Sequence, residues 1–213
     1  GGDSNYSNPN GFRYTVGLNG GYSKNEIEFI DEVSGAPEWQ LQEGKPLGAY
    51  LLYETDGVFY DQSEIDANAV DYSQVTPQLR PGDLRLVDYD GNGKIDADDQ
   101  VRQEDSFTPR LQYGITLDMS YKNFDLSILF QGSQGGLTTL FNGEFGDWGN
   151  YYKYQHDNRW SIDNPSREHP RLASRGDTWY TDGGYGNNTY NYGSTDYLRL
   201  KNIELGYTLP QDV

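Results

Sequence analysis

The run Leu111-Gln112-Tyr113-Gly114-Ile115-Thr116-Leu117-Asp118-Met119-Ser120-Tyr121-Lys122-Asn123-Phe124-Asp125-Leu126-Ser127-Ile128-Leu129-Phe130-Gln131 decides the fold of this chain. As far as Tyr121 its odd positions are apolar or aromatic and its even positions are polar or glycine, the period of two that alternates side chains between the faces of a strand. Eleven residues is long for a strand in a soluble domain; a tilted strand crossing a bilayer needs roughly 9–11. Tyr113 and Tyr121 stand near the two ends of the apolar face, where membrane strands carry aromatics. After Lys122-Asn123 the alternation resumes, with Phe124, Leu126, Ile128 and Phe130 against Asp125, Ser127 and Gln131. The two segments predict an antiparallel hairpin with Leu111, Tyr113, Ile115, Leu117, Phe124, Leu126 and Ile128 on one face.

Two further segments carry the same period. One sets Phe12, Tyr14, Val16, Leu18 and Tyr22 against Arg13, Thr15, Gly17, Asn19 and Ser23, with Gly20 interrupting the apolar side. The other sets Ile203, Leu205, Tyr207 and Leu209 against Asn202, Glu204, Gly206 and Thr208. Upstream of it, Leu198 and Leu200 fall on the opposite phase, which predicts a β-bulge or the end of the membrane band over 197–201. Two long connections, about 31–109 and 132–196, separate the strands. Loops of that size count against a compact soluble domain and in favour of an outer-membrane barrel, in which short periplasmic turns alternate with long extracellular loops. The expected fold class is therefore all-β: antiparallel strands of a transmembrane β-barrel, here a partial, open sheet with long extracellular loops.

Within the first connection, residues 88–99 read Asp-Tyr-Asp-Gly-Asn-Gly-Lys-Ile-Asp-Ala-Asp-Asp. Asp88, Asp90 and Asn92 take positions one, three and five of a calcium loop, Gly93 the sharp turn, Lys94 the backbone carbonyl ligand, and Asp96 and Asp99 the closing positions. Ile95 stands where such loops turn one apolar side chain inward. The last ligand is Asp99 instead of a bidentate glutamate, and no helix of ordinary length flanks the loop, so the expectation is structural calcium and not a helix-opening sensor. An acidic Asp/Gly turn with no ion is the alternative at this stage.

Composition narrows the function. The 213 residues include 26 glycines, 19 tyrosines, one methionine and no cysteine, and the formal net charge is −17. Few aliphatics with many Tyr and Gly fit a β protein and not a helical enzyme. The negative charge argues against nucleic acid, since no basic patch is present to displace counterions from phosphates. With no cysteine there is neither a disulfide scaffold nor a thiolate zinc site. No signal peptide and no apolar run of roughly 18 residues is visible in the sequence. His156 and His169 sit in a polar context with no zinc or triad spacing, no carboxylate pair can be singled out for glycosidase chemistry, and Gly132-Ser133-Gln134-Gly135-Gly136 lacks the Lys-Ser/Thr of a phosphate cradle. No enzymatic activity is expected. The second connection is rich in aromatics, among them Trp148, Tyr151, Tyr152, Tyr154, Trp160, Trp179, Tyr180, Tyr185, Tyr190 and Tyr192. Of these, Trp148, Tyr152, Trp160, Trp179 and Tyr180 are the candidate ligand or partner contacts, with internal packing of the loop as the competing role.

Several ordered motifs resemble SusC/RagA-like TonB-dependent outer-membrane transporters. They are Gly44-Lys45-Pro46-Leu47-Gly48-Ala49-Tyr50, Tyr53-Glu54-Thr55-Asp56-Gly57-Val58-Phe59, Pro81-Gly82-Asp83-Leu84, and the 88–99 loop with Asn92 where many members carry Asp. Thr108-Pro109-Arg110, Tyr121-Lys122-Asn123-Phe124-Asp125-Leu126-Ser127, Phe130-Gln131-Gly132, Tyr197-Leu198-Arg199-Leu200-Lys201-Asn202-Ile203, Leu205-Gly206-Tyr207 and Leu209-Pro210 follow in the same order. The resemblance implies that 1–213 is a C-terminal part of such a barrel, with the plug domain and the TonB-contacting segment outside this sequence. It further implies TonB-dependent import of oligosaccharides or peptides across the outer membrane of a diderm bacterium, with a SusD-like lipoprotein as partner. Gln112, Asp118, Asp125 and Glu204 are then expected to line the lumen, and the apolar faces to meet outer-membrane lipid. The competing reading from the residues alone is a secreted, calcium-stabilised β-sandwich that binds carbohydrate, because alternation by itself does not distinguish lipid from a second sheet.

Overall fold

The computed structural model describes residues 3–7, 11–140, 153–172 and 187–209. Of Trp148, Tyr152, Trp179 and Tyr180, none falls among these described residues. The chain divides into two compact units, one of residues 1–25, 105–138 and 194–213, the other of 26–104 and 139–193.

The first unit is a five-stranded antiparallel sheet. Its strands are β1 (Asp3–Ser7), β2 (Phe12–Tyr22), β7 (Leu111–Tyr121), β8 (Phe124–Gln134) and β11 (Tyr197–Tyr207), hydrogen-bonded in the order β1-β2-β7-β8-β11. The long strands fall where the alternation predicts them, and β8 runs three residues past the expected Gln131. The hairpin forms with Tyr121 opposite Phe124 and Leu111 opposite Gln134. Lys122, first of the two turn residues, takes φ 55°, the positive φ that the primed hairpin turns require.

Register sets which side chains share a surface. Residues directly opposite one another share a face, so the rungs Phe12-Tyr121-Phe124-Tyr207, Tyr14-Met119-Leu126-Leu205 and Val16-Leu117-Ile128-Ile203 form one continuous apolar surface across four strands. The phase change in β11 is absorbed by a register shift between Leu200 and Asn202. Lys201 is the extra residue. The bulge returns Leu200 to the rung of Leu18, Ile115 and Phe130, so the apolar row survives it. The break at Gly20 also has a partner explanation: Gly20 and Gly132 flank Tyr113, whose ring lies over Gly132 so closely that a Cβ there would sit 2.1 Å from Cζ. Two glycines make room for one aromatic.

Among the described residues this face is largely exposed. Leu18 and Leu205 remain 56% and 74% exposed, and Phe124, Leu200, Ile203 and Tyr207 are exposed as well. That is the opposite of a sandwich core. Both long connections leave the sheet at one end: Tyr22 stands opposite Leu111, and Ser133 opposite Tyr197, at the end away from Lys122-Asn123.

The second unit has its own core. Strand β3 (Leu51–Tyr53) pairs with β6 (Gln100–Arg102), and β4 (Thr55–Val58) with β5 (Leu84–Leu86). Around them Tyr53, Val58, Phe59, Tyr72, Val75, Leu84, Leu86 and Ile95 are buried together, with Ile65, Trp160 and Tyr190 packed against them. Helix α1 (Gln62–Ala67) begins at Asp61, whose carboxylate accepts from the Glu64 amide. The remaining elements are the short strands β9 (Leu137–Thr139) and β10 (Tyr192–Ser194) and helix α2 (Lys153–Asn158). Among the described residues no helix is long and apolar enough to cross a membrane, a statement that does not touch strands.

Candidate functional site

The acidic loop is held by its own chain. Ile95, completely buried, anchors its middle in the core, and its amide donates to the Asp71 carbonyl at 2.7 Å while the Asp71 amide donates to the Gly93 carbonyl at 2.9 Å. Gly91 and Gly93 take φ values of 72° and 85°, which let the backbone turn back so that amides face carboxylates. The Asn92 amide donates to Asp88 at 3.1 Å and to Asp90 at 2.9 Å, and the Gly93 amide donates to Asp88 at 2.8 Å. At the far end, Asp96 and Asp99 form a reciprocal capping box around a short 3-10 turn, Ala97–Asp99.

These constraints bring carboxylate oxygens of Asp88, Asp90 and Asp99 within 4.8 Å of one another. Asp99 is buried completely and accepts from the amides of Tyr89 at 2.7 Å and Asp96 at 2.8 Å. Burial pushes its carboxyl pKa up, the amide bonds pull it down, and the Asp90 charge adds to the rise. Asn92 and Asp96 have other partners. The Asn92 side chain donates to Asp90 at 2.7 Å and accepts from the Lys94 amide at 2.9 Å. Asp96 is ion-paired with the Lys94 ammonium, which with the Asp98 amide holds its carboxyl below the usual range. Three of the expected carboxylates therefore converge, while Asp96 is turned to the lysine side chain of the residue expected to offer a carbonyl.

The loop also supports a neighbouring segment that sequence spacing does not reveal. Trp39 Nε1 donates to the Asp98 carbonyl at 2.7 Å, the Gln40 amide group donates to the Ala97 carbonyl at 2.6 Å, and the Trp39 and Tyr89 rings lie 5.2 Å apart. Tyr53 lies close enough to feel the loop: burial, then Asp99 and Asp96, push its hydroxyl up to about 12.

Of the aromatic candidates in the second connection, the described one is Trp160. It is half-buried, its Nε1 donates to the Tyr60 carbonyl at 2.9 Å, and its ring lies where a Cβ on Gly82 would come within 2.8 Å. The adjoining segment is tied down by a buried ion pair, Arg171 Nε to Asp83 at 2.6 Å, and by the Arg171 amide donating to the Gly82 carbonyl at 2.8 Å. His169 holds the Tyr154 and Tyr190 hydroxyls at 3.3 and 3.0 Å, one on each ring nitrogen. Among the described residues it joins two tyrosines.

The other face of the sheet is polar. Its rungs are Arg13-Ser120-Asp125-Gly206, Thr15-Asp118-Ser127-Glu204, Gly17-Thr116-Leu129-Asn202, Asn19-Gly114-Gln131-Arg199 and Gly21-Gln112-Ser133-Tyr197, so that Leu129 and Tyr197 are its apolar members. The Ser127 hydroxyl donates to Asp118 at 2.6 Å and Arg199 donates to Gln131 at 3.0 Å, so the wall is hydrogen-bonded across strands. Gln112, Asp118, Asp125 and Glu204 all lie on this face.

A sheet that is polar on one side, exposed and apolar on the other over about eleven residues per strand, is the wall of a transmembrane β-barrel. Solved structures share it. The RagAB peptide transporter superposes with a TM-score of 0.61 at 21% identity, covering 99% of this chain and 22% of that one. The RagAB peptide importer in its open-open state gives 0.60 at 18% identity, covering 98% and 21%. In sequence the chain is 33% identical over 174 residues to TonB-dependent receptor P3 of Formosa agariphila, covering 80% of this chain and 16% of that protein. It is 30% identical over 186 residues to TonB-dependent receptor P26 of the same organism, covering 86% and 18%. The chain thus spans about a sixth of the length of the curated relatives it matches. No family model matches it. At this identity and coverage the chain belongs to the TonB-dependent receptors, and the fold it shares with RagAB agrees with the SusC/RagA-like resemblance drawn from the motifs. These relatives are named as receptors and transporters and not as enzymes.

Proposed function

We propose that the intact protein is a TonB-dependent importer in the outer membrane of a diderm bacterium, moving oligosaccharides or peptides together with a SusD-like lipoprotein. The observation that carries this reading is the register of β2, β7, β8 and β11, which keeps an exposed apolar surface and a hydrogen-bonded polar surface on opposite sides of one sheet. In this reading the apolar side meets lipid, and Gln112, Asp118, Asp125 and Glu204 line the lumen. Both long connections, leaving the sheet at one end, are extracellular, and of the aromatic segment Trp148, Tyr152, Trp179 and Tyr180 supply ring faces and hydrogen-bonding groups to ligand or lipoprotein, while Trp160 packs the segment against Tyr60 and Gly82. TonB acts on a plug outside this sequence.

Calcium is the ion the acidic loop suits. Its convergent donors are hard oxygens, with three carboxylates to balance a divalent charge. The bound ion would neutralise the charge that burial makes costly at Asp99 and lock the loop beneath Trp39. Asp88, Asp90 and Asp99 would hold it, joined by the Lys94 carbonyl and Asn92, and by Asp96 once its carboxylate leaves the Lys94 ammonium.

The test of transport is uptake by cells expressing the complete protein and its neighbouring lipoprotein. Labelled peptide or oligosaccharide accumulates in energised cells and not in cells lacking TonB. Uptake that persists without TonB contradicts the reading.

A further inference from the structure

We propose that residues 26–36 form the docking edge for the lipoprotein, and that the surface they engage is an apolar pocket rimmed by lysine and arginine. This rests on the lipoprotein reading above and identifies where and by what chemistry the contact is made.

The segment is organised, yet it presents apolar side chains to water. The Ile27 amide donates to the Lys45 carbonyl and the Gly44 amide to the Ile27 carbonyl, both at 2.9 Å. Glu32 accepts from the amides of Gln42 at 2.6 Å and Glu43 at 3.1 Å. A turn closes where the Ala36 amide donates to the Val33 carbonyl at 3.1 Å, with Gly35 at φ 86°. On this pinned frame Phe29 is 83% exposed and Val33 79% exposed. A pre-ordered aromatic anchor loses little entropy on binding, which is what a docking element needs.

Charge selects the occupant. The edge itself, residues 26–36, contains four carboxylates, Glu26, Glu28, Asp31 and Glu32, and no lysine or arginine, with Lys45 beside Ile27 and Arg102 near Glu32 as the neighbouring cations. Exposed apolar side chains on a net acidic segment are complementary to an apolar pocket flanked by basic side chains. A second copy paired edge to edge would set these carboxylates against each other, in a chain whose net charge is already −17. An anionic lipid surface is repelled for the same reason.

The experiment uses the full-length transporter in nanodiscs and the neighbouring lipoprotein, freed of its lipid anchor, as the probe in a binding-kinetics assay. Replacing Phe29→Ser with Val33→Ser is expected to weaken binding about tenfold or more, chiefly through faster dissociation. Glu28→Lys with Asp31→Lys is expected to slow association at low salt, with the difference shrinking as salt rises. Phe29→Leu, which keeps an apolar anchor, should stay within about threefold of wild type. If wild type binds and both double variants match it, the docking edge is elsewhere while the lipoprotein reading stands. If wild type itself does not bind the lipoprotein, both fall.

Discussion

Trp39 Nε1 reaches across the acidic loop to the carbonyl of Asp98 at 2.7 Å, fastening the Glu38–Gln40 turn to the segment that ends in the buried carboxylate of Asp99. A tryptophan bonded to the loop backbone, with its ring tilted against Tyr89, reports any change in the loop. Calcium added to ion-free full-length protein should shift tryptophan emission with a midpoint of roughly 10⁻⁴–10⁻³ M, the range of extracellular calcium modules. Trp39→Phe should remove most of that shift without changing calcium uptake by calorimetry, and Asp90→Asn with Asp99→Asn should remove both. An emission change that survives Trp39→Phe would show that the loop is not the responding element.

Tyr72 ties the core of the second unit together. Its hydroxyl accepts from the Leu86 amide at 3.0 Å and donates to the Leu86 carbonyl at 3.1 Å. Burial, the largest influence, pushes its pKa from 10.0 up to about 12. The folded unit therefore favours the neutral phenol. The stability linked to it is complete below the ordinary value and is lost as pH rises through the folded one. Chemical denaturation should show a loss of stability between about pH 10 and 12, with tyrosinate absorbance rising late. Tyr72→Phe should abolish its share and cost about 1–3 kcal/mol, because the buried Leu86 groups lose a partner.

Arg171 and Asp83 form a pair in which Asp83 is fully buried and the Arg171 side chain is 13% exposed. Arg171→Ala leaves a carboxylate without its cation and should cost about 3–5 kcal/mol in the second unit. Proteolysis should then cut within 153–172 first, since the pair and Trp160 hold that segment to Gly82. Asp83→Leu with Arg171→Met should recover part of the loss and not all of it, because the Arg80 amide also donates to Asp83 at 2.8 Å. Equal cutting of wild type and Arg171→Ala would remove the clamp from the account.

How much of this was legible in the sequence follows from the range of each interaction. The faces of β2, β7, β8 and β11 are written in a local period of two, and the bulge at Lys201 in a break of that period. The acidic loop is likewise local, its backbone amides and carboxylates lying two to five residues apart around glycines. The core of the second unit was not legible. Its buried residues come as isolated pairs, Leu52 and Tyr53, Val58 and Phe59, Leu84 and Leu86, separated by polar stretches with no period, and only pairings such as Val58 with Leu84 bring them together. Strand β1 carries no alternation and is defined by its backbone pairing to β2. Trp160 could not be assigned to packing without knowing that Tyr60 lies beside it.

The central claim is that one face of the sheet meets lipid and the other an aqueous lumen, and adjacent residues of β7 test it most directly. In the full-length protein in vesicles, a fluorophore on a single cysteine at Leu117 should be quenched by brominated lipid and shielded from iodide in solution. The same fluorophore at Thr116, one residue away and on the opposite face, should show the reverse. The alternation of quenchers along Ile115, Thr116, Leu117 and Asp118 is the predicted result. Iodide quenching at all four positions, or lipid quenching at none, would contradict the barrel wall and the transport function built on it.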